Sequence, residues 1–336
     1  MGDAGAVLNR ARWKGVDIEI RLSDFQGCLV YHPDLTDLIE EIRHRSEIRK
    51  LTKKGHGIRV IAASDRGKST TIDLLKKMMP PQITETRTRH PLLTFDIAGN
   101  CSPKGIYDSL KKALNAPVAH YKTERKYREG VLLLMDAEHA DVQILAIDNI
   151  QDIPERWAKK GINVVGNVIR DIAEEIDLIL LLFGTKEVEL IVENNGQLRR
   201  RAPAKMELCA HDVSTVEGMS KALRMVKEFE KHLPLADESG LAESRPGKAL
   251  VCATDGGPGA MKSLLAIAVV NCVRAGREKL INKDLKVAYS RLYAGFENCN
   301  PFDEEFTPWR RLNRPGEPHY DAAEWVALCK LKEKKK

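Results

Sequence analysis

Between residues 58 and 210 the chain alternates apolar blocks with stretches of helical period. "IRVIAAS" (58–64), "LLTFDIA" (92–98), "VQILAID" (142–148) and "DLILLLFGT" (177–185) are near-continuous apolar runs, and they predict strands buried on both faces. "AKMELCA" (204–210) predicts a fifth. Residues 68–79, 104–115 and 156–175 carry helical spacing. This alternation predicts an α/β fold, a parallel sheet covered by helices with right-handed crossovers. Upstream, "DLTDLIEEIRHRSEIRKL" follows His32-Pro33 and predicts a helix. Beyond residue 211 the strand signal fades. "TVEGMSKALRMVKEFEKHL", "GAMKSLLAIAVVNCVRAGREKL" and "NKDLKVAYSRLY" predict a small helical domain. From about 296 onward Pro, Gly and charge dominate, and the chain ends "KLKEKKK", which predicts a partly ordered tail.

The first strand runs into candidate chemistry. "VIAASDRGKSTTIDLL" (60–75) reads strand, loop, helix. Against the P-loop pattern G-x-x-x-x-G-K-[ST] it keeps Gly67, Lys68 and Ser69, with Ala62 in place of the first glycine. Gly67 lets the backbone approach phosphates. The N–H groups from Ser64, Asp65 and Arg66 to Thr70 hold negative charge, Lys68 reaches the β- and γ-phosphates, and the Ser69 hydroxyl ligates Mg²⁺. Position 62 ends the strand, where alanine suffices if its φ is negative.

Two strands further on, "ILAIDN" ends an apolar run in Asp148, the form of a Walker B strand whose carboxylate binds Mg²⁺ through water beside Ser69. The order of the two motifs is that of a P-loop ATPase. Asn149 stands where many such ATPases carry a glutamate base; an amide can position water but cannot take its proton. Asp152 and Glu155 are nearby carboxylates. Thr185 ends the fourth strand, where its hydroxyl either faces the γ-phosphate or makes an ordinary turn. In "GQLRRRAP", one of Arg199, Arg200 and Arg201 either reaches a neighbour's γ-phosphate or belongs to a solvated basic turn.

Charge adds a partner class. With 54 Lys and Arg against 48 Asp and Glu, the net charge is +6, which permits a polyanion without requiring one. Lys122, Arg125, Lys126 and Arg128 crowd together beside Tyr121 and Tyr127, a segment suited to phosphate contacts or to a solvated helix face. The seven cysteines form no C-x-x-C. A zinc site or disulfide framework is therefore not expected, and a reducing, cytoplasmic setting is. The N-terminus lacks the apolar core of a secretory signal, and the runs Leu178–Phe183 and Leu264–Val270 are too short to span a bilayer.

Taken in order, "HPDLTDLIEEIR", the P-loop, "FDIAGNCSPKGIYDSLKKALNAP", "ILAIDNIQDI", "LLLFGTKEV" with "GQLRRR", and "FEKHLPLADESGLAES…ATDGGPGAMKSLLAIAV" resemble the TniB/TnsC family of AAA+ ATPases, target-selection regulators of DNA transposons. The resemblance runs from His32 to about Tyr293. It implies an N-terminal helical extension (1–50), an AAA+ core (51–211), a helical lid (212–295) and a C-terminal tail (296–336). It implies ATP with Mg²⁺ bound between subunits, a ring or filament on double-stranded DNA, and partnership with a transposase and a target-selector protein. By motif position, Thr185 matches sensor 1, one of Arg199–Arg201 the arginine finger, and Lys262 a sensor 2 equivalent. Lys104 and the basic segment 122–128 match DNA contacts. Asn149 implies slow hydrolysis. The alternatives are an ATP-bound scaffold that never hydrolyses and a P-loop ATPase of signalling or partition systems.

Overall fold

The computed structural model describes residues 10–63, 66–97, 101–116, 123–136, 138–153, 159–208, 215–306 and 309–321. The chain divides into two compact units, residues 34–209 and residues 1–33 with 210–336.

In the first unit, β1 (Ile58–Ala62), β4 (Leu92–Asp96), β5 (Ile144–Asp148), β6 (Ile179–Gly184) and β7 (Ala204–Leu208) form a five-stranded sheet in the order β4-β5-β6-β1-β7. Every pairing in it is parallel. Gln82–Ile83 (β2) and Thr88–Arg89 (β3) form a separate antiparallel pair. All five predicted strands are present, each slightly shorter than its apolar run. Because side chains alternate across a strand, β1, β4, β5 and β6 each feed two cores, whereas β7 feeds one and leaves Lys205 and Glu207 exposed on its other face. Ile58, Val60, Ile144, Ala146, Ile179 and Leu181 pack with Leu38 and Ile42 of α2 (Pro33–Thr52) and with Ile72 and Leu75 of α3 (Lys68–Met78). Leu93, Phe95, Leu145, Ile147, Leu180 and Leu182 pack with α4 (Pro103–Ala113), α5 (Glu124–Met135) and α6 (Lys159–Glu175). The short helices α7 (Val188–Glu193) and α8 (Gly196–Arg201) complete that layer.

The second unit is helical: α1 (Ile18–Gly27), α9 (Val216–His232), α10 (Ser244–Ala253), α11 (Pro258–Arg274) and α12 (Asn282–Leu292). Phe25, Val226, Phe229, Leu250, Leu264, Val269 and Tyr289 fill its core. The sequence reading treats residues 1–50 as one extension. In the structure, α1 belongs to the helical unit and α2 to the sheet unit, because Phe25 packs with Phe229 while Leu38 and Ile42 pack under the sheet. The reading also sets 296–336 aside as a tail. Yet Phe302 and Leu312 are buried, and Arg311 makes a two-pronged ion pair with the buried Asp255 at 2.6 and 2.7 Å. The described residues up to 321 therefore pack as part of the unit. No described helix is by itself long and apolar enough to cross a membrane.

Candidate nucleotide site

The P-loop sits between β1 and α3. Ala62 is the last residue of β1, buried and paired with Leu208. Its φ is not positive, so a methyl group is tolerated where the motif usually has glycine. Gly67 caps α3 with φ +86°, a left-handed conformation open to glycine at no steric cost. The Gly67 carbonyl accepts the Thr71 N–H and hydroxyl, each at 2.8 Å. The first turn, with Lys68 half-buried and Ser69 and Thr70 exposed, presents unpaired N–H groups and the positive end of the helix dipole. Lys68 Nζ donates to the Ala62 carbonyl at 3.3 Å. Arg66 is half-buried beside this turn. Ser64 and Asp65 lie outside the described residues.

Beside it, two carboxylates end neighbouring strands. Asp96 and Asp148 are in register in the β4–β5 ladder. Burial pushes the Asp148 carboxyl up, and the negative charge of Asp96 adds to this. The Asn149 N–H, which donates to Asp148 Oδ1 at 2.8 Å, and the charges of Lys68 and Lys76 oppose it. A carboxylate so placed gains from a hard cation. A carboxylate and a hydroxyl such as that of Ser69 are oxygen donors of the kind Mg²⁺ takes together with phosphates. Among the described residues no group of three or more His, Cys, Asp or Glu forms a metal cage.

Asn149 has φ +55°, a conformation asparagine tolerates better than most residues. Its Nδ2 donates to Asp96 Oδ2 at 3.0 Å, and its Oδ1 accepts from Gln151 Nε2 at 3.1 Å. Gln151 Oε1 in turn accepts the Thr185 N–H at 3.3 Å. Gly184 makes room for this, since a Cβ there would stand 2.7 Å from that oxygen. The Thr185 hydroxyl bonds to Glu187. Both ends of the Asn149 amide are thus engaged. Sequence reading missed Asp96 and Gln151. Only the strand register reveals the first, and nothing short of the fold reveals the second. Asp152 is half-buried in the turn after Asn149, and its N–H donates to the Asn149 carbonyl at 3.0 Å. Glu155 lies outside the described residues.

The arginine run forms α8, and its members differ. Arg201 faces Glu174 at 3.6 Å and Asp177 at 3.4 Å, and its carbonyl accepts the Gly57 N–H at 2.5 Å. Arg199 and Arg200 are exposed. In the helical unit, Lys262 Nζ donates to the carbonyls of Gln26 and Cys28 at 2.6 and 2.8 Å, closing the C-terminal end of α1.

The basic segment also separates. Lys104 is exposed at the start of α4, and Arg125 and Lys126 are exposed on the first turn of α5. The Arg125–Glu129 pair at 2.7 Å is solvated. Arg128 instead donates to the Tyr107 hydroxyl at 3.1 Å, stacks 5.2 Å from that ring and faces Asp171 at 3.7 Å. Lys122 and Tyr121 lie outside the described residues.

A family model described as "Bacterial TniB protein" matches residues 25–207. The fold is similar to the crystal structure of Cdc6p from Pyrobaculum aerophilum, with TM-score 0.59, 12% identity, and coverage of 83% of this chain and 72% of that one. It is also similar to the Aeropyrum pernix ORC2 protein in its ADPNP–ADP complexes, with TM-score 0.56, 14% identity, and coverage of 83% and 73%. No curated protein matches the sequence.

Proposed function

The chain belongs to the TniB family of AAA+ ATPases, and from that premise we propose that it is an ATP-dependent, DNA-binding regulator of DNA transposition. It assembles as a homo-oligomer on double-stranded DNA, and there engages a transposase and a target-selector protein of the same element. The observation that carries the nucleotide part is the placement of Asp148 at the end of β5 within the electrostatic reach of Lys68 on the P-loop helix. ADPNP and ADP in the ORC2 fold neighbour support it.

In this reading Gly67 and the N–H groups of the first turn of α3 hold the phosphates, with Ser64, Asp65, Arg66 and Thr70 around them. Lys68 leaves the Ala62 carbonyl for the β- and γ-phosphates. Ser69 and Asp148 hold Mg²⁺, which when bound neutralises phosphate charge. Thr185, fixed by Gln151 and Glu187, faces the γ-phosphate side. Arg199 or Arg200 reaches a neighbour's nucleotide, whereas the ion pairs of Arg201 tie it to its own subunit. Lys262 must give up two carbonyls to act as sensor 2. Lys104, Arg125 and Lys126 touch DNA phosphates, with Lys122 in the same segment, whereas Arg128 supports α5 from behind.

The test is Lys68→Ala in the full chain. It should lose ATP-dependent DNA binding while melting as the parent does. Unchanged ATP affinity in a folded variant would remove the P-loop from the reading. A second reading, an ATP-bound scaffold without turnover, is favoured by one observation: the engaged Asn149 amide has no base to offer. Phosphate release with and without DNA separates the two.

A further inference from the structure

Position 149 lacks a carboxylate, yet one stands within hydrogen-bonding distance of it. Asp96 is the last residue of β4 and is exposed, although most of its strand is buried. It lies directly across the ladder from Asp148, and in-register residues on adjacent strands, about 4.8 Å apart, project to the same side. The Asn149 amide donates to Asp96 Oδ2 at 3.0 Å. Donor and acceptor chemistry allows only one sense for the relay behind it. An ionised carboxylate only accepts, so the Asn149 NH₂ must face it. The Asn149 oxygen then needs a donor, which is the Gln151 NH₂ at 3.1 Å. The Gln151 oxygen then takes the Thr185 N–H, which only donates. The carboxylate is thereby oriented from the end of β6 through two side-chain amides.

We infer that Asp96 is the carboxylate that orients the attacking water during ATP hydrolysis and takes its proton, with Asn149 and Gln151 as its positioning residues. This rests on the nucleotide site proposed above. The step balances without a further reactant. The water oxygen bonds to the γ-phosphorus, and the bond from that phosphorus to the β–γ bridging oxygen breaks. Its electron pair leaves with ADP. The water's proton passes to the Asp96 carboxylate and from there to solvent. Asparagine at 149 is then the holder of the base, supplied from the neighbouring strand.

The experiment compares the full-length parent with Asp96→Asn, Asp96→Ser and Gln151→Ala in the presence of Mg·ATP and duplex DNA. It reads phosphate release, affinity for a fluorescent ATP analogue, and the lifetime of ATP-bound assemblies on DNA. Both Asp96 variants should lose about 10²–10⁴-fold in turnover, the usual worth of general-base help. Analogue affinity should stay within about threefold, and the assemblies should live correspondingly longer. Gln151→Ala should lower turnover less and leave affinity intact. Asp96→Asn keeps an acceptor for the Asn149 amide and removes a charge beside Asp148, so it should melt as the parent does, and it is the variant that separates lost chemistry from lost folding. Turnover within about threefold of the parent in both Asp96 variants overturns the inference. So does loss of analogue binding, which would make Asp96 a ligand of the cation or nucleotide. A parent that binds the analogue but releases no phosphate instead overturns the hydrolytic reading itself, and the inference with it.

Discussion

At the scale of single residues, the two departures from the usual motif have different physical meanings. Ala62 changes little, because it ends a strand with ordinary backbone geometry. Asn149 is a structural choice. Its φ of +55° disfavours side chains that cannot bond back locally, at about 1–2 kcal/mol for an ordinary residue. Its amide also satisfies partners on both sides. Asn149→Glu, which restores the usual residue by sequence logic, is therefore expected to damage the site. It adds a third carboxylate beside Asp96 and Asp148, strains the backbone, and breaks two hydrogen bonds worth about 1 kcal/mol each. We expect the sheet unit to lose roughly 2–4 kcal/mol and turnover to fall. Urea unfolding and phosphate release check this; a variant as stable as the parent and faster in turnover contradicts it. The motif residues at 67–69 and 148 were legible from type and spacing. Asp96 was not, because the role proposed for it rests on a pairing between strands some fifty residues apart in sequence.

At the scale of elements, β1, β4, β5 and β6 were legible because burial on both faces leaves a near-continuous apolar run, whereas β7 alternates, with Lys205 and Glu207 exposed. Helix α5 was not, because its first turns read "ERKYRE" and look like a charge cluster, although Thr123 caps it by accepting the Lys126 N–H at 3.3 Å. The loop "LPLADESGLAES" resisted reading for another reason. Its anchor is Glu230 on α9, a buried carboxylate that accepts the N–H groups of Ser239, Gly240 and Ala242 at 2.7, 2.6 and 3.3 Å. A further anchor gives a pH prediction. Arg21 of α1 is 2% exposed, and Glu278 holds it with both oxygens at 2.7 Å. Val16, Trp13 and Pro234 add carbonyls. The Arg21 hydrogen bond, foremost, holds the Glu278 carboxyl below its ordinary range. A depressed carboxylate contributes stability above its unfolded pKa, near 4.3, and loses it as pH falls through the lower folded value. Glu278→Gln should therefore cost about 2–3 kcal/mol at pH 7, less than a fully buried pair because Glu278 is 25% exposed. The cost should shrink toward zero below the folded pKa. Denaturant unfolding of parent and variant across pH 7 to 3 measures the difference; a pH-independent gap assigns the effect to packing instead.

At the scale of the whole molecule, a net charge of +6 on 336 residues is too diffuse to make a polyanion site by itself. In the proposed reading, affinity for DNA comes from cations concentrated on one surface and from several subunits acting together. The structure sorts the candidates by how tightly each is already held. Lys104, Arg125 and Lys126 are exposed, and the Arg125–Glu129 pair is open to solvent. Such a pair is worth little, so it yields readily to a phosphate. Arg128 is committed to Tyr107 and Asp171, and moving it to DNA would forfeit a stacked, hydrogen-bonded contact. Replacing Lys104, Arg125 and Lys126 by alanine should therefore weaken DNA binding for any sequence and flatten the plot of log affinity against log salt. The slope should fall by about 0.9 for each lost phosphate contact per subunit. ATP affinity should be untouched, because none of the three belongs to the P-loop. Arg128→Ala is the contrast: its slope should match the parent's while the sheet unit melts earlier. Titrations of labelled duplex at several salt concentrations, with ADPNP to hold the nucleotide state constant, read both. If the triple variant keeps the parent's slope and Arg128→Ala flattens it, the charge that meets DNA is the one held here by Tyr107 and Asp171, and the assignment to Lys104, Arg125 and Lys126 is wrong.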